Sequence, residues 1–425
     1  MVFPKKCNFA QKRLVRAIYS FLVQLTWLLL RLIAKFNPKI RFFVNGRKKT
    51  FPLLEKAFSD SEDVIWMHVA SLGEYEQGLP VLKQLKVKYP QYTFLLTFFS
   101  PSGFEVKKDK TPADFVVYLP MDTQKNVRQF LNLVRPKIAI FIKYEIWPNY
   151  LCELRVRNIP AILVSGIFSK RQIFFKWYGG FMKKALYSFS NFFVQEENSK
   201  NLLKALNLHN VTVSGDTRFD RVSEILHQEN SLAFMDVFKG ESKCFVAGST
   251  WPEDEKILLD FINQPNDTLR YVIAPHNIKE GNIANLKSSI HRKVLLYSEI
   301  GKDAVSDAEV LIIDTIGLLT KVYSYADFAY VGGGFATGLH NTLEPAVFGI
   351  PVIIGPKYRG FNEAVEMVGA KGILVVEDKS EFNQIMELLM GNSVFTEKTG
   401  KINSTYISEK TGATQTVIKY IETLF

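Results

Sequence analysis

The chain has 425 residues, 47% of them hydrophobic, enough to bury a core in each of two or three domains and too many for a disordered protein. Its three cysteines, Cys7, Cys152 and Cys244, show no CxxC spacing and no nearby histidine, which points to a reducing compartment without structural zinc. A net charge of +11 with 13% aromatic residues suits nucleic acid, an anionic membrane or an acidic substrate, and the placement of the basic residues has to separate these.

From Leu14 to Ala34 the chain is apolar on most sides, but its uncharged part, Ala17 to Leu30, is shorter than the roughly 20 residues of a span. It reads as a helix lying in or dipping into a bilayer. A buried helix and a signal peptide are the alternatives, although no small-x-small cleavage site precedes Lys35. Lys12, Arg13 and Arg16 stand before it and Arg31, Lys35, Lys39 and Arg41 after it, so orientation is undetermined while attraction to an anionic leaflet is expected.

After a basic linker, Asn45 to Thr50, short runs rich in β-branched and aromatic residues recur: Val64 to Ser71, Thr93 to Phe99, Phe115 to Leu119, Lys137 to Ile142, Ala161 to Ser165 and Asn191 to Gln195. A second series follows Gly215: Cys244 to Gly248, Tyr271 to Ala274, Val294 to Tyr297, Val310 to Asp314, Phe328 to Val331, Pro351 to Ile354 and Ile373 to Val376. Most are continuously apolar, and helix-period stretches such as Gln77 to Lys88 and Gln124 to Val134 separate them. That is the pattern of parallel sheets covered on both faces. The expected class is α/β, with two doubly wound Rossmann-like domains and an N-terminal membrane-associated helix. The expected division is 1–43, 44–225 and 226–425, and the last amphipathic stretch (Val417, Ile421, Leu424) must pack back on something.

In the first domain, VIWMHVASLGEYEQG places Ser71, Gly73 and Glu74 just past a buried strand, at a helix start. Glu74 can act as a base toward a hydroxyl nucleophile or merely cap its helix. His68, mid-strand, reads as a core histidine, since no second ligand stands at metal-binding spacing. TFFSPSG, with Ser100, and KYEIWPN, with Glu145, follow two further strands as crevice-edge loops. Glu145 can bind substrate or pair with a neighbouring cation.

In the second domain the stretch Tyr330 to Pro356, YVGGGFATGLHNTLEPAVFGIPVIIGP, reads as strand, glycine turn, short helix, turn, strand. Gly332, Gly333 and Gly334 permit positive φ and close approach of a phosphate to the backbone. Pro345 confines the helix start to Asn341–Glu344, with Asn341 as N-cap, and Glu344 is placed to accept two ribose hydroxyls. Gly248, Ser249 and Thr250 lead into a second helix start, WPEDE, an anion-ready end. Pro275 and His276 close a third strand, and Lys279, Lys357 and Arg359 are cations available to a phosphate or carboxylate.

These residues together resemble the 3-deoxy-D-manno-octulosonic acid (Kdo) transferases of lipopolysaccharide synthesis, glycosyltransferases of the GT-B fold. The resemblance rests on HVASLGE (His68 to Glu74), YLPMD (Tyr118 to Asp122), EIWPN (Glu145 to Asn149), SGDTRFD (Ser214 to Asp220), the GST turn and GLHNTLEPAVFGIPVIIGP (Gly338 to Pro356). It implies an inverting transfer of Kdo from CMP-Kdo to a lipid A precursor (lipid IVA) at the cytoplasmic face of the inner membrane, with no metal or other cofactor and no nucleic-acid partner. Glu74 falls on the family's catalytic glutamate, and His340, Asn341, Leu343, Glu344 and Pro345 on its donor motif. The implied donor side is Gly248, Ser249, Thr250, His276, Lys279, Gly333, Gly334, His340, Asn341 and Glu344; the acceptor side is Ser71, Gly73, Ser100 and Glu145. Three departures stand out: Lys143 and Tyr144 precede Glu145 where the family has Glu-Thr; Ala274, Pro275 and His276 lack the arginine of Pro-Arg-His; and Ser165 and Ile167 replace the family's Asn and Arg. A nucleotide-sugar epimerase without lipid acceptor, and an exported sugar-binding protein, are the rivals from other classes.

Overall fold

The computed structural model describes residues 9–58, 63–301 and 305–425, with side chains from Arg16 onward; Cys7 and the side chains of Lys12 and Arg13 lie outside the described residues. The chain forms two units, 1–221 with 411–425, and 222–410. The division thus falls after Arg221 rather than after residue 225, and both the N-terminal helix and the last helix belong to the first unit.

The first unit holds β1 (Val64–Val69), β2 (Thr93–Phe98), β3 (Phe115–Tyr118), β4 (Pro136–Ile142), β5 (Ala161–Gly166), β6 (Asn191–Val194) and β7 (Val211–Val213), in the order β3-β2-β1-β4-β5-β6-β7. The second holds β8 (Lys243–Thr250), β9 (Leu269–Pro275), β10 (Val294–Leu296), β11 (Val310–Ile312), β12 (Phe328–Val331), β13 (Val352–Ile354) and β14 (Ile373–Val375), in the order β10-β11-β9-β8-β12-β13-β14. Every strand pairing is parallel. Central strands are buried end to end, as the unbroken apolar runs require. Helices such as Leu72–Lys88 and Gln124–Val134 cover the faces.

Strand order switches direction at β1/β4 in the first unit and at β8/β12 in the second, where β11 is additionally inserted between β9 and β10. In open parallel sheets the ligand crevice forms outside the carboxyl ends of the strands at this reversal. The loops that leave those four strands are SLGE, KYEIWPN, WPEDE and GGGFATGLHN. Nearly every candidate residue therefore sits where the topology puts a crevice.

The N-terminal helix runs Phe9–Ile33, and its 18-residue segment Arg16–Ile33, which takes in Arg16 and Arg31 around the uncharged part, is long and apolar enough to cross a membrane by length and composition. One face is held by the first unit: Trp27, Leu30 and Ala34 pack around Phe43, Val44 and Met121. The other face exposes Phe21, Leu22, Leu25, Leu28, Leu29 and Leu32. Helix Ala413–Glu422 buries Val417, Ile418 and Ile421 beside helix Leu72–Lys88. Asp220 fixes its start by accepting the Gly412 and Thr414 amides and the Thr414 hydroxyl. Leu424, expected on the packed stripe, is partly exposed because the helix ends at Glu422.

Candidate functional site

In the first unit Glu74 stands at the third position of helix Leu72–Lys88, and its Oε2 accepts both the Ser71 amide (2.7 Å) and the Ser71 hydroxyl (2.9 Å). The capping alternative is thus realised in the geometry. It uses one carboxylate oxygen, and no described hydrogen bond reaches Oε1, so capping and base chemistry are compatible in one side chain. Tyr144, 46% exposed, has its phenol pKa raised by burial first and then by the negative charge of Glu74, which puts the loop after β4 beside the loop after β1. Gly73 is exposed, and a Cβ there meets nothing closer than Ser71 Oγ at 4.0 Å. The fold does not need glycine at that position.

Glu145 is buried rather than presented to solvent. Its Oε2 accepts Trp147 Nε1–H at 2.9 Å and faces His68 Nε2 at 3.1 Å. His68, fully buried in β1, has Nδ1 2.8 Å from the Thr97 hydroxyl and 3.1 Å from the Thr97 carbonyl, and Trp66 Nε1 donates to the same hydroxyl. Glu145 is thus engaged within the protein, where it holds Trp147 and the loop around it. Ser100 caps helix Pro101–Lys107 through the Ser102 amide (3.3 Å). Ser165, which replaces the family's asparagine, sits in left-handed backbone (φ 53) and bonds Thr217.

In the second unit the glycine turn is locked by protein. A Cβ on Gly332 would meet Ser249 O at 2.3 Å, one on Gly333 would meet Gly338 O at 2.1 Å, and one on Gly334 would meet Gly355 N at 2.6 Å. Gly333 also has φ 93. The triplet thus serves backbone-to-backbone packing in this turn before it serves any ligand. Asp254, fully buried, holds the turn: Oδ2 accepts the amides of Gly333 (2.8 Å) and Trp251 (2.9 Å), and Oδ1 accepts Tyr330 Oη–H (2.8 Å) and the Phe335 amide (3.4 Å). Only the Trp251 amide is local; the other three partners of Asp254 lie 76 to 81 residues away, beyond the reach of a local pattern. Lys357 Nζ donates to the carbonyls of Phe335 and Ala336, so this cation is already committed to the turn.

Gly248 and Ser249 belong to β8 rather than following it. A register irregularity lies between Gly248 and Thr250, and Ser249 takes left-handed backbone (φ 55). The expected helix after the turn is one turn long, Leu343–Ala346. Thr342 occupies its N-cap position, while Asn341 caps from one residue further out, accepting the Leu343 amide and donating to Glu344 Oε1 at 3.0 Å. Thr320 donates to the other Glu344 oxygen, also at 3.0 Å. His276, just past β9, stacks on both Trp251 (centroids 4.7 Å) and His340 (4.6 Å), and Trp251 Nε1 donates to His340 Nε2 at 3.0 Å. Three separate motifs thus converge in one aromatic stack. Lys279 is exposed and makes no described ion pair.

Burial first, then the charge of His276, lowers the His340 pKa below 6.5, which keeps the ring neutral and able to accept from Trp251. An unfolded chain takes up a proton near 6.5 that the folded site resists, so this contribution is complete above that pH and declines as pH falls through the lowered folded value. The melting temperature of the parent should drop more between about pH 7.5 and about pH 5 than that of His340→Gln. Equal drops would remove the assignment.

Against known proteins, residues 23–221 match the family model described as 3-deoxy-D-manno-octulosonic-acid transferase (kdotransferase). A 3-deoxy-D-manno-octulosonic acid transferase of Haemophilus influenzae is 26% identical over 374 residues, 84% of this chain and 86% of that protein. Residues 23–221 thus carry a Kdo transferase domain, and curated Kdo transferases match the chain along most of its length. The chain is thereby a glycosyltransferase of the GT-B class. A bifunctional glycosyltransferase/methyltransferase of Fusobacterium nucleatum is 28% identical over 388 residues, 88% of this chain but only 59% of that longer protein. A UDP-GlcNAc 2-epimerase from Neisseria meningitidis shares the fold, with a TM-score of 0.61 at 16% identity over 85% of this chain and 100% of that one. At such identity the likeness extends to architecture alone.

Proposed function

We propose that the protein transfers Kdo from CMP-Kdo to a lipid A precursor at the cytoplasmic face of the inner membrane, with inversion and without a metal. The observation that carries the reading is Glu74, at the sheet reversal of the first unit, capping its helix with one oxygen and leaving the other available. The acceptor hydroxyl attacks the anomeric carbon, Glu74 takes the hydroxyl proton, and CMP departs with the electrons of the broken C–O bond. Charge on the departing phosphate is met by backbone amides and cations, the role for which the donor-side turn and helix ends are suited. The donor site in this reading is the Trp251–His276–His340 stack together with Glu344. A carboxylate has about four acceptor positions, so Glu344 can receive ribose hydroxyls while bound to Asn341 and Thr320.

Incubation of the pure protein with CMP-Kdo and lipid A precursor, followed by mass analysis of the lipid, tests the whole. A lipid heavier by one or more Kdo residues is expected. Release of free or altered sugar with unchanged lipid would favour an epimerase or hydrolase instead. On the donor side, Glu344→Ala should weaken CMP binding by about 1–3 kcal/mol, because hydroxyls lose their acceptor. Calorimetry giving equal affinities in mutant and parent would contradict it.

For the membrane, the first 54 residues carry twelve Lys and Arg and no Asp or Glu, and they include the helix with the exposed apolar face. Such a helix lies along an anionic leaflet with its leucines in the acyl boundary. Leu25→Glu with Leu29→Glu should abolish co-sedimentation with anionic vesicles and leave the melting temperature within a few degrees, since both side chains are exposed. Unchanged sedimentation would remove the membrane role from this helix.

A further inference from the structure

The motifs YLPMD and EIWPN meet the N-terminal helix at one buried junction. Helix Pro148–Val156 follows the Glu145–Trp147 loop, and its first residue outside, Trp147, supplies no side-chain cap. The cap comes from Asp122 instead: Oδ2 accepts the Asn149 amide and Oδ1 the Tyr150 amide, each at 3.1 Å. Both Asp122 and Asn149 are buried. Three residues of the N-terminal helix complete the set. Tyr19 Oη–H donates to Asp122 Oδ2 at 2.9 Å, Arg16 Nε donates to Asn149 Oδ1 at 2.7 Å, and Asn149 Nδ2 donates to Ser20 Oγ at 3.2 Å. The Tyr19 ring also rests on Phe181, centroids 5.2 Å apart.

We propose that Arg16 and Tyr19 are positioning residues for the acceptor side: through Asn149 and Asp122 they set the Glu145–Trp147 loop at a fixed place relative to the exposed apolar face of their own helix. A bare apolar anchor has no use for a buried carboxylate and a buried amide bonded to its polar side. With them, seating the helix on a bilayer also fixes where the loop stands, so a lipid acceptor held in that bilayer arrives at a defined height beside Glu74. The inference rests on the lipid-acceptor reading above, and it extends that reading from attachment to alignment.

The test uses the full chain on anionic vesicles and the variants Tyr19→Phe and Arg16→Gln, neither of which alters the apolar face. Amide hydrogen exchange at Asn149 and Tyr150 should quicken, and KM for lipid A precursor should rise about tenfold, the equivalent of one hydrogen bond to a charged partner. KM for CMP-Kdo should stay at the parental value, vesicle partition should stay parental in Tyr19→Phe, which keeps every charge, and Arg16→Lys should recover part of the loss. A merely structural role would lower the melting temperature and raise both KM values together. Unchanged exchange at the two amides, or equal change in both KM values, would overturn the proposal. If the parent transfers nothing, the transferase reading fails separately, and exchange alone then decides whether helix and loop are coupled.

Discussion

Glu74→Gln should reduce turnover roughly 10²- to 10⁴-fold while CMP affinity and melting temperature remain near parental values. A sugar hydroxyl is a poor nucleophile at neutral pH, and removal of its proton in the transition state needs a positioned base. The amide oxygen of Gln can still accept the Ser71 amide, so the helix start that Glu74 holds through Oε2 survives the change. Basicity is what the variant loses. The other role available to Glu74, capping alone, predicts the reverse pattern: a modest fall in stability with near-parental transfer. Measuring turnover, CMP affinity and melting on one preparation separates the two, and a mutant that transfers Kdo at almost the parental rate would exclude the base.

The second large effect is expected at Asp254. Asp254→Ala removes the acceptor for three backbone amides and the Tyr330 hydroxyl in a buried place. Each orphaned buried donor costs about 1–3 kcal/mol, and partial relaxation brings the expected total to about 4 kcal/mol or more. In a unit of this size that corresponds to a fall in melting temperature on the order of 10 °C. CMP binding should fail even under conditions where the fold persists, since the glycine turn loses the group that holds the Gly333 amide. Asp254→Asn, which keeps one acceptor oxygen, should fall between. An Asp254→Ala protein that melts within about 2 °C of the parent and binds CMP normally would show that the turn is held by its glycine packing alone.

Local order in the chain revealed what depends on neighbours in sequence. Glu74 and Ser71 are three residues apart, so a capping interaction was legible, and thirteen of the strands were legible as apolar runs. β7 was not, because Val211–Val213 is three residues long and only partly buried, too little for a period to show. The end of β8 was misjudged because glycine at 248 suggested a turn, while the backbone instead bulges at Ser249 and continues to Thr250. What the sequence could not reveal are pairs joined by folding: Glu145 with His68 across 77 residues, and Asp254 with Gly333 across 79. Glu145, which looked available for ligand, proved to be engaged by His68, and Asp254, which does cap its own helix start, also holds the glycine turn.

The assignment of 411–425 to the first unit makes the second unit an insertion rather than a tail. The polypeptide leaves the first unit after Arg221 and returns at Thr411, so a single nick at either passage leaves the halves covalently joined. Truncation at residue 410 does not yield a clean N-terminal half: it strips away Val417, Ile418 and Ile421 and bares the surface of helix Leu72–Lys88 that they cover, the helix whose first turn carries Glu74. Excision of 222–410 with a short splice is the cut that respects the architecture. For the same reason, changes at the extreme C-terminus bear on the first unit, although most of that unit is encoded at the other end of the gene.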